Sequence, residues 1–184
     1  MLPVLLLLGT LQNMVEAETI ISVPNGGPWG GWGPMEVCGP DALVRGFYIK
    51  VQGDQGILDD TAMNGIGLFC TEPASLEVLK IIKSTEGSRG SWTGAKWCNF
   101  GYITSFSLRV QKPSWMGNTG ANNIKFMCSD GSILEGDGMH WGEYGPWSRE
   151  CPYGVRGLQT RVLGDQGFFK DDVGLSDAKL QCCD

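Results

Sequence analysis

Two pairs of adjacent carboxylates, Asp59-Asp60 and Asp171-Asp172, are the residues of this chain whose spacing most suggests chemistry. Glycosyl transfer commonly uses two carboxyl groups, one protonated as acid and one ionised as base or nucleophile, at separations of about 5–9 Å. On that reading Asp60 and Asp172 are catalytic candidates, while Asp59, Asp171 and Asn118, which falls at the same place in a related segment, would bond sugar hydroxyls. The same residue types also start turns by bonding nearby backbone N–H groups, so a purely structural role competes. Val173 and Ser176 stand where the first acidic run has Thr61 and Asn64, which weakens the catalytic reading.

Aromatic residues offer a second kind of chemistry, stacking against sugar rings. The chain has 7 tryptophans, gathered in glycine-rich stretches. Trp32, Trp92 and Tyr144 recur at one repeat position and are expected to fill a core. Trp29, Trp115 and Trp141 are not fully shared among the repeats and are expected to be exposed for ligand contact. His140 is the only histidine, and no Cys-x-x-Cys pair accompanies it, so a zinc site is not expected. No Gly-x-Ser-x-Gly elbow is present for a serine triad, and no Asn-x-Ser/Thr sequon occurs. No cofactor is expected.

The elements that must position these residues come in three copies. Cys38 to Cys70 spans 32 positions, Cys98 to Cys128 spans 30 and Cys151 to Cys182 spans 31. After each first cysteine comes a segment alternating apolar and polar residues: Phe47–Val51, Phe106–Val110 and Leu158–Val162. A second such segment ends at each closing cysteine, in Ile66–Cys70, Ile124–Cys128 and Ala178–Cys182. Period two marks strands with one buried face. Before each first cysteine lies Gly-x-aromatic, in Gly30-Gly31-Trp32, Gly90-Ser91-Trp92 and Gly142-Glu143-Tyr144.

One unit of a few short strands cannot bury an apolar face alone, whereas three can enclose a common core. The fold class expected is all-β, a prism of three sheets with pseudo-threefold symmetry, with a closed barrel as the alternative. The repeat units run over about residues 20–70, 80–128 and 134–182. The repeat pairs Cys38–Cys70, Cys98–Cys128 and Cys151–Cys182, and leaves Cys183 without an equivalent.

The first residues set the compartment. Leu2–Leu11 is almost uniformly apolar but too short to span a bilayer, which needs roughly twenty residues. With small Val15 and Ala17 at the positions signal peptidase reads, residues 1–17 read as a signal peptide and 18–184 as a single domain. No later stretch is long and apolar enough for a membrane anchor. An exported chain oxidises its thiols, and 7 cysteines leave one over. The net charge is −6 and the Lys and Arg residues are scattered singly, which argues against nucleic acid as a partner.

Asn25-Gly26-Gly27-Pro28-Trp29-Gly30, Asp59-Asp60-Thr61-Ala62-Met63-Asn64-Gly65-Ile66, Ala121-Asn122-Asn123-Ile124 and the vicinal Cys182-Cys183 resemble the vitelline membrane outer layer protein family over essentially the whole mature chain. The resemblance implies a β-prism of three four-stranded Greek-key sheets, an extracellular location, and a place in the outer coat of the egg yolk membrane or in other secretions. It also implies association with mucin-type glycoproteins, or synthesis of N-acetylchito-oligosaccharides by glycosyl transfer. That family usually carries eight cysteines; the position of the extra one is held here by Arg156, so the resemblance, like the repeat, leaves Cys183 a free thiol or an intermolecular one. Three functions follow in order of expectation: a structural or binding component of an extracellular coat or mucous layer, a glycan-binding module, and a glycosyl transferase. The partners expected are extracellular glycoproteins or oligosaccharides, with a disulfide-linked dimer possible through Cys183.

Overall fold

The computed structural model describes residues 18–53, 62–111, 120–164 and 174–184. Fourteen strands, and no helix, occur among the described residues. In chain order they are β1 (Ile20–Ser22), β2 (Gly31–Trp32), β3 (Glu36–Val37), β4 (Leu43–Val51), β5 (Met63–Thr71), β6 (Val78–Lys83), β7 (Ser91–Trp92), β8 (Lys96–Trp97), β9 (Ile103–Val110), β10 (Ala121–Cys128), β11 (Ile133–Glu135), β12 (Glu143–Tyr144), β13 (Val155–Leu163) and β14 (Gly174–Cys182).

They form three antiparallel sheets. Sheet 1 runs β6-β5-β4-β7 with β8 also on β4; sheet 2 runs β11-β10-β9-β12; sheet 3 runs β1-β14-β13-β2 with β3 also on β13. In each, two long central strands come from one repeat, and the short strand carrying the Gly-x-aromatic motif comes from the next. Thus Trp32 pairs with Arg161, Trp92 with Lys50 and Tyr144 with Arg109. The chain closes on itself because β1, at the other end of the sequence, completes sheet 3 beside β14.

Alternation on the long strands directs one face of every sheet inward. Phe47, Ile49, Ile66 and Leu68 from sheet 1 meet Phe106, Leu108, Ile124 and Phe126 from sheet 2 and Leu158, Ala178 and Leu180 from sheet 3, all buried. Phe47 and Phe126 touch edge to face across the first two sheets, with ring centroids 4.6 Å apart. A fully buried side chain of this size contributes about 1.5–3 kcal/mol. The enclosed core is that of a three-sheet prism.

The repeated aromatics do not fill that core. Trp32, Trp92 and Tyr144 are half-buried on the outer faces, each under a lysine ammonium: Lys179 at 4.2 Å from the Trp32 ring, Lys83 at 4.7 Å from Trp92, Lys125 at 4.3 Å from Tyr144. The reason is parity. Each aromatic is paired with an Arg or Lys that lies between inward-facing residues of the central strand, and cross-strand partners point to the same face. Cation–π contact then covers the ring.

Glycine before each aromatic has a backbone cause. Gly30, Gly90 and Gly142 have φ of 78°, 83° and 76°. A Cβ on them would also lie within 2.1–2.4 Å of the carbonyl oxygens of Val162, Val51 and Val110. Only glycine fits a left-handed backbone pressed that closely on the neighbouring strand.

The disulfides Cys38–Cys70, Cys98–Cys128 and Cys151–Cys182 have Cα separations of 5.6, 5.8 and 5.1 Å. Each joins two sheets. The N–H groups of Cys38, Cys98 and Cys151 donate to Arg156, Arg45 and Thr104, on sheets 3, 1 and 2 in turn. Their bonded partners Cys70, Cys128 and Cys182 lie on sheets 1, 2 and 3. The bridges therefore run from sheet 3 to 1, 1 to 2 and 2 to 3, a covalent ring around the core.

Candidate functional site

Asn25-Gly26-Gly27-Pro28-Trp29-Gly30 crosses from β1 to β2 over the junction of sheets 3 and 2. Half of this segment serves the fold. Gly27 N–H donates to the Ser176 carbonyl at 2.7 Å, and Ser176 Oγ donates to the Trp29 carbonyl at 2.6 Å. A Cβ on Gly26 would collide with the Asp177 carboxylate at 2.1 Å. The side chains of Asn25 and Trp29 are left to face the junction.

There they line a cavity of about 640 Å³. Pro28 and Trp29 stand on one side, Gly142 to Gly145 on the other, with Val110 and Gln111 between. Trp29 is 37% exposed, enough to present part of its indole to a ligand. Asn25 Nδ2 donates to the Leu108 carbonyl at 3.0 Å, which ties the segment to sheet 2, while its Oδ1 is buried and accepts no hydrogen bond among the described residues. Gly145 is what seats Asn25, since a Cβ there would lie 2.3 Å from its carboxamide carbon. The opposite wall is held by Tyr144, whose hydroxyl donates to Glu135 at 3.0 Å; burial first, and then that carboxylate, push the phenol's pKa upward. The lining is mostly apolar with few polar groups, the usual make-up of a small-molecule site. Among the described residues it holds one carboxylate, Glu143.

Side-chain contacts span the other two junctions. Between sheets 3 and 1, Thr160 Oγ1 donates to the Thr85 carbonyl, and Ser84 Oγ donates to the Pro34 carbonyl at 2.7 Å. Between sheets 1 and 2, Lys96 pairs with Asp137 at 2.8 Å.

Of the residues singled out by sequence, Trp29 lines the cavity. Trp141 is half-buried and does not; its carbonyl accepts a hydrogen bond from Asn122 Nδ2 at 2.9 Å, and its ring lies 6.1 Å from that of exposed His140. Asp59, Asp60, Trp115, Asn118, Asp171 and Asp172 lie outside the described residues. Asn25, Gln111 and Glu143 were not singled out, because the chain shows no sign that β12 of the third repeat closes over the segment preceding the first. The pairing of β2 with β13 of sheet 3 and of β12 with β9 of sheet 2 is what brings them together. Cys183 forms no disulfide, is half-buried, and lines a second cavity of about 410 Å³ together with Arg156, Tyr153 and Asp41. No cluster of His, Cys, Asp or Glu able to hold a metal occurs among the described residues.

The family described as Vitelline membrane outer layer protein I matches residues 19–184. The chain belongs to that family. Vitelline membrane outer layer protein 1 homologs of Homo sapiens and Mus musculus are 47% and 44% identical to it, covering 89% and 97% of this chain and 82% and 94% of their own lengths. Among solved structures, the Calsepa lectin in complex with a biantennary N-glycan superposes with a TM-score of 0.57 at 18% identity, covering 91% of this chain and 97% of the lectin. That likeness establishes a shared β-prism fold. Within the Asn25-Gly26-Gly27-Pro28-Trp29-Gly30 run, Gly26, Gly27 and Gly30 are set by packing, Asn25 ties the segment to sheet 2, and Trp29 is the residue exposed to meet a ligand.

Proposed function

We propose that this vitelline membrane outer layer family member is a secreted, non-catalytic component of an extracellular coat or mucous layer that holds glycans in the cavity beside Trp29. The carrying observation is that cavity: an exposed indole, with Val110, Asn25, Gln111 and Glu143 also in its lining. A sugar presents a C–H face suited to the indole and hydroxyls suited to the amides. The β-prism lectin that shares the fold is in complex with an N-glycan, which supports the same class of ligand. The apolar leader at residues 1–17 and the oxidised cysteines support export. A rigid domain closed by three bridges suits a coat exposed to the exterior. Among the described residues the lining holds one carboxylate, Glu143, which supports binding at this cavity over glycosyl transfer there, since that reaction commonly uses two.

Titration with N-acetylchito-oligosaccharides and with a biantennary N-glycan, followed by tryptophan fluorescence and by product analysis, tests the reading. Saturable binding without new products, lost in Trp29→Ala, is the expected result. Binding that survives Trp29→Ala would place the site elsewhere. Longer or shorter oligosaccharides, abolished by Asp60→Asn or Asp172→Asn, would make the protein a glycosyl transferase.

A further inference from the structure

Sheet 1 carries on its outer face a feature its counterparts lack. Four rings run across it in contact: Trp92 to Tyr48 at 4.6 Å between centroids, Tyr48 to Phe69 at 5.0 Å, and Phe69 to Trp97 at 4.5 Å. Sheets 2 and 3 have Ser107 and Gln159 at the Tyr48 position, and Met127 and Gln181 at the Phe69 position. Two glycines make the space. A Cβ on Gly67 would lie 2.3 Å from the Tyr48 ring, and one on Gly46 would lie 2.5 Å from the Trp97 indole. Trp97 is 39% exposed, and Leu79 and Ile81 on the edge strand β6 continue the apolar surface at 54% and 44%.

Both ends of this ladder are cationic. Lys83 stands over Trp92, and Arg45 lies beside the Trp97 end, donating from Nε and Nη2 to the carbonyls of Cys98 and Asn99. Neither forms an ion pair among the described residues, whereas the nearby carboxylates Glu36, Glu86 and Asp137 are matched to Lys80, Lys50 and Lys96. A positive aromatic strip on a chain of net charge −6 calls for an explanation.

We propose that the outer face of sheet 1 binds an anionic glycan strand, its sugar rings against the ladder from Trp97 to Trp92 and its acid groups on Lys83 and Arg45. The rings packed on one another hold Trp97 in place, and its exposed surface, continued by Leu79 and Ile81, offers a sugar ring its apolar contact. Charge complementarity selects sulfated or sialylated sugars over neutral ones. A protein partner fits less well, because interface cores are depleted in lysine and here a lysine lies on the ladder itself. The site is separate from the Trp29 cavity, with which it shares no residue.

Calorimetric titration of the full chain with a sulfated glycosaminoglycan oligosaccharide and with a sialylated oligosaccharide tests it. At least one probe is expected to bind, more weakly as salt is added, with Lys83→Gln and Trp97→Ala each weakening it by about tenfold and Trp29→Ala leaving it unchanged. The exposed position of Lys83 makes Lys83→Gln a variant that keeps the fold. The proposal is overturned if neither probe binds, if binding survives both substitutions, or if Trp29→Ala abolishes it. Equal binding of polyphosphate or of an acidic peptide would show a surface that reads charge alone, and overturns the assignment to glycans.

Discussion

Asp177 and Asn123 stand at the same place on β14 and β10, and each accepts at Oδ1 a hydrogen bond of 2.8 Å from the backbone N–H of the following residue. Asn123 also donates from Nδ2 to the Gly136 carbonyl at 2.8 Å, which a carboxylate cannot do. Burial raises the pKa of Asp177, and the bond from Ala178 together with Lys179 and Arg161 only partly offsets it. The folded state thus holds this proton more tightly than the unfolded chain, so stability falls as pH rises through the gap between the two values. Asp177→Asn removes that penalty while keeping the local bond. The variant is expected to be more stable than the parent in urea at neutral pH. The difference should shrink near pH 3, below the ordinary carboxylate value of about 3.9. Equal stability at neutral pH would mean that Lys179 and Arg161 compensate fully.

Gly142→Ala should be among the most damaging single-methyl additions in the molecule. It places a side chain at φ of 76° and a Cβ 2.4 Å from the Val110 carbonyl oxygen. Left-handed strain alone costs about 1–2 kcal/mol, and separating β12 from β9 adds to it. Gly131→Ala has a similar φ of 83° but nothing within 4 Å. Thermal unfolding of the two variants separates strain from collision: Gly131→Ala should lose only the first. Because Gly142 lines the cavity, the same substitution should also weaken glycan binding.

The ring of bridges predicts near-equal contributions. Loops of 32, 30 and 31 residues are each worth about 3–4 kcal/mol by loop entropy. Replacing Cys38 and Cys70, Cys98 and Cys128, or Cys151 and Cys182 pairwise by Ala should therefore cost similar amounts in urea denaturation. One bridge far below the others would mean that its two sheets are held by packing alone.

How far the sequence reveals this molecule depends on which forces are local. Period two in Phe47–Val51 and its repeats shows the strands and the inward set, because a half-buried strand writes its environment into every second residue. The aromatic repeat misleads: Trp32, Trp92 and Tyr144 look like core by size, yet their strand pairs with the preceding repeat and Lys83, Lys125 and Lys179 cover them outside. A lysine contact arriving from another strand leaves no mark at the aromatic's own position. In sheet 1 it even changes strand, since Gly67 stands where sheets 2 and 3 have Lys125 and Lys179, and Lys83 is its cross-strand partner. Trp29 is legible because the repeat does not fully share it, the second unit having Arg89 in its place; Asn25, Gln111 and Glu143 are not, because their meeting depends on closure between distant parts of the chain.

Cys183 offers the most direct chemical test of where the third repeat departs from the others. Its backbone N–H donates to the Gly154 carbonyl at 2.8 Å, so the residue is fixed immediately after Cys182, which is bonded to Cys151. Its thiol has no disulfide partner, and Arg156 lies on the wall of the same cavity. The oxidised protein, unfolded in denaturant, should release one titratable thiol per monomer. In a glutathione redox buffer, exchange of this thiol with oxidised glutathione and then with a second chain should give a dimer that reductant dissolves. Cys183→Ser should remain monomeric on a non-reducing gel while keeping the parent's thermal stability. A parent that shows neither a free thiol nor a dimer would mean that Cys183 is capped by a small thiol, which mass spectrometry of the intact chain would reveal. Dimer persisting in Cys183→Ser would instead assign association to a non-thiol surface.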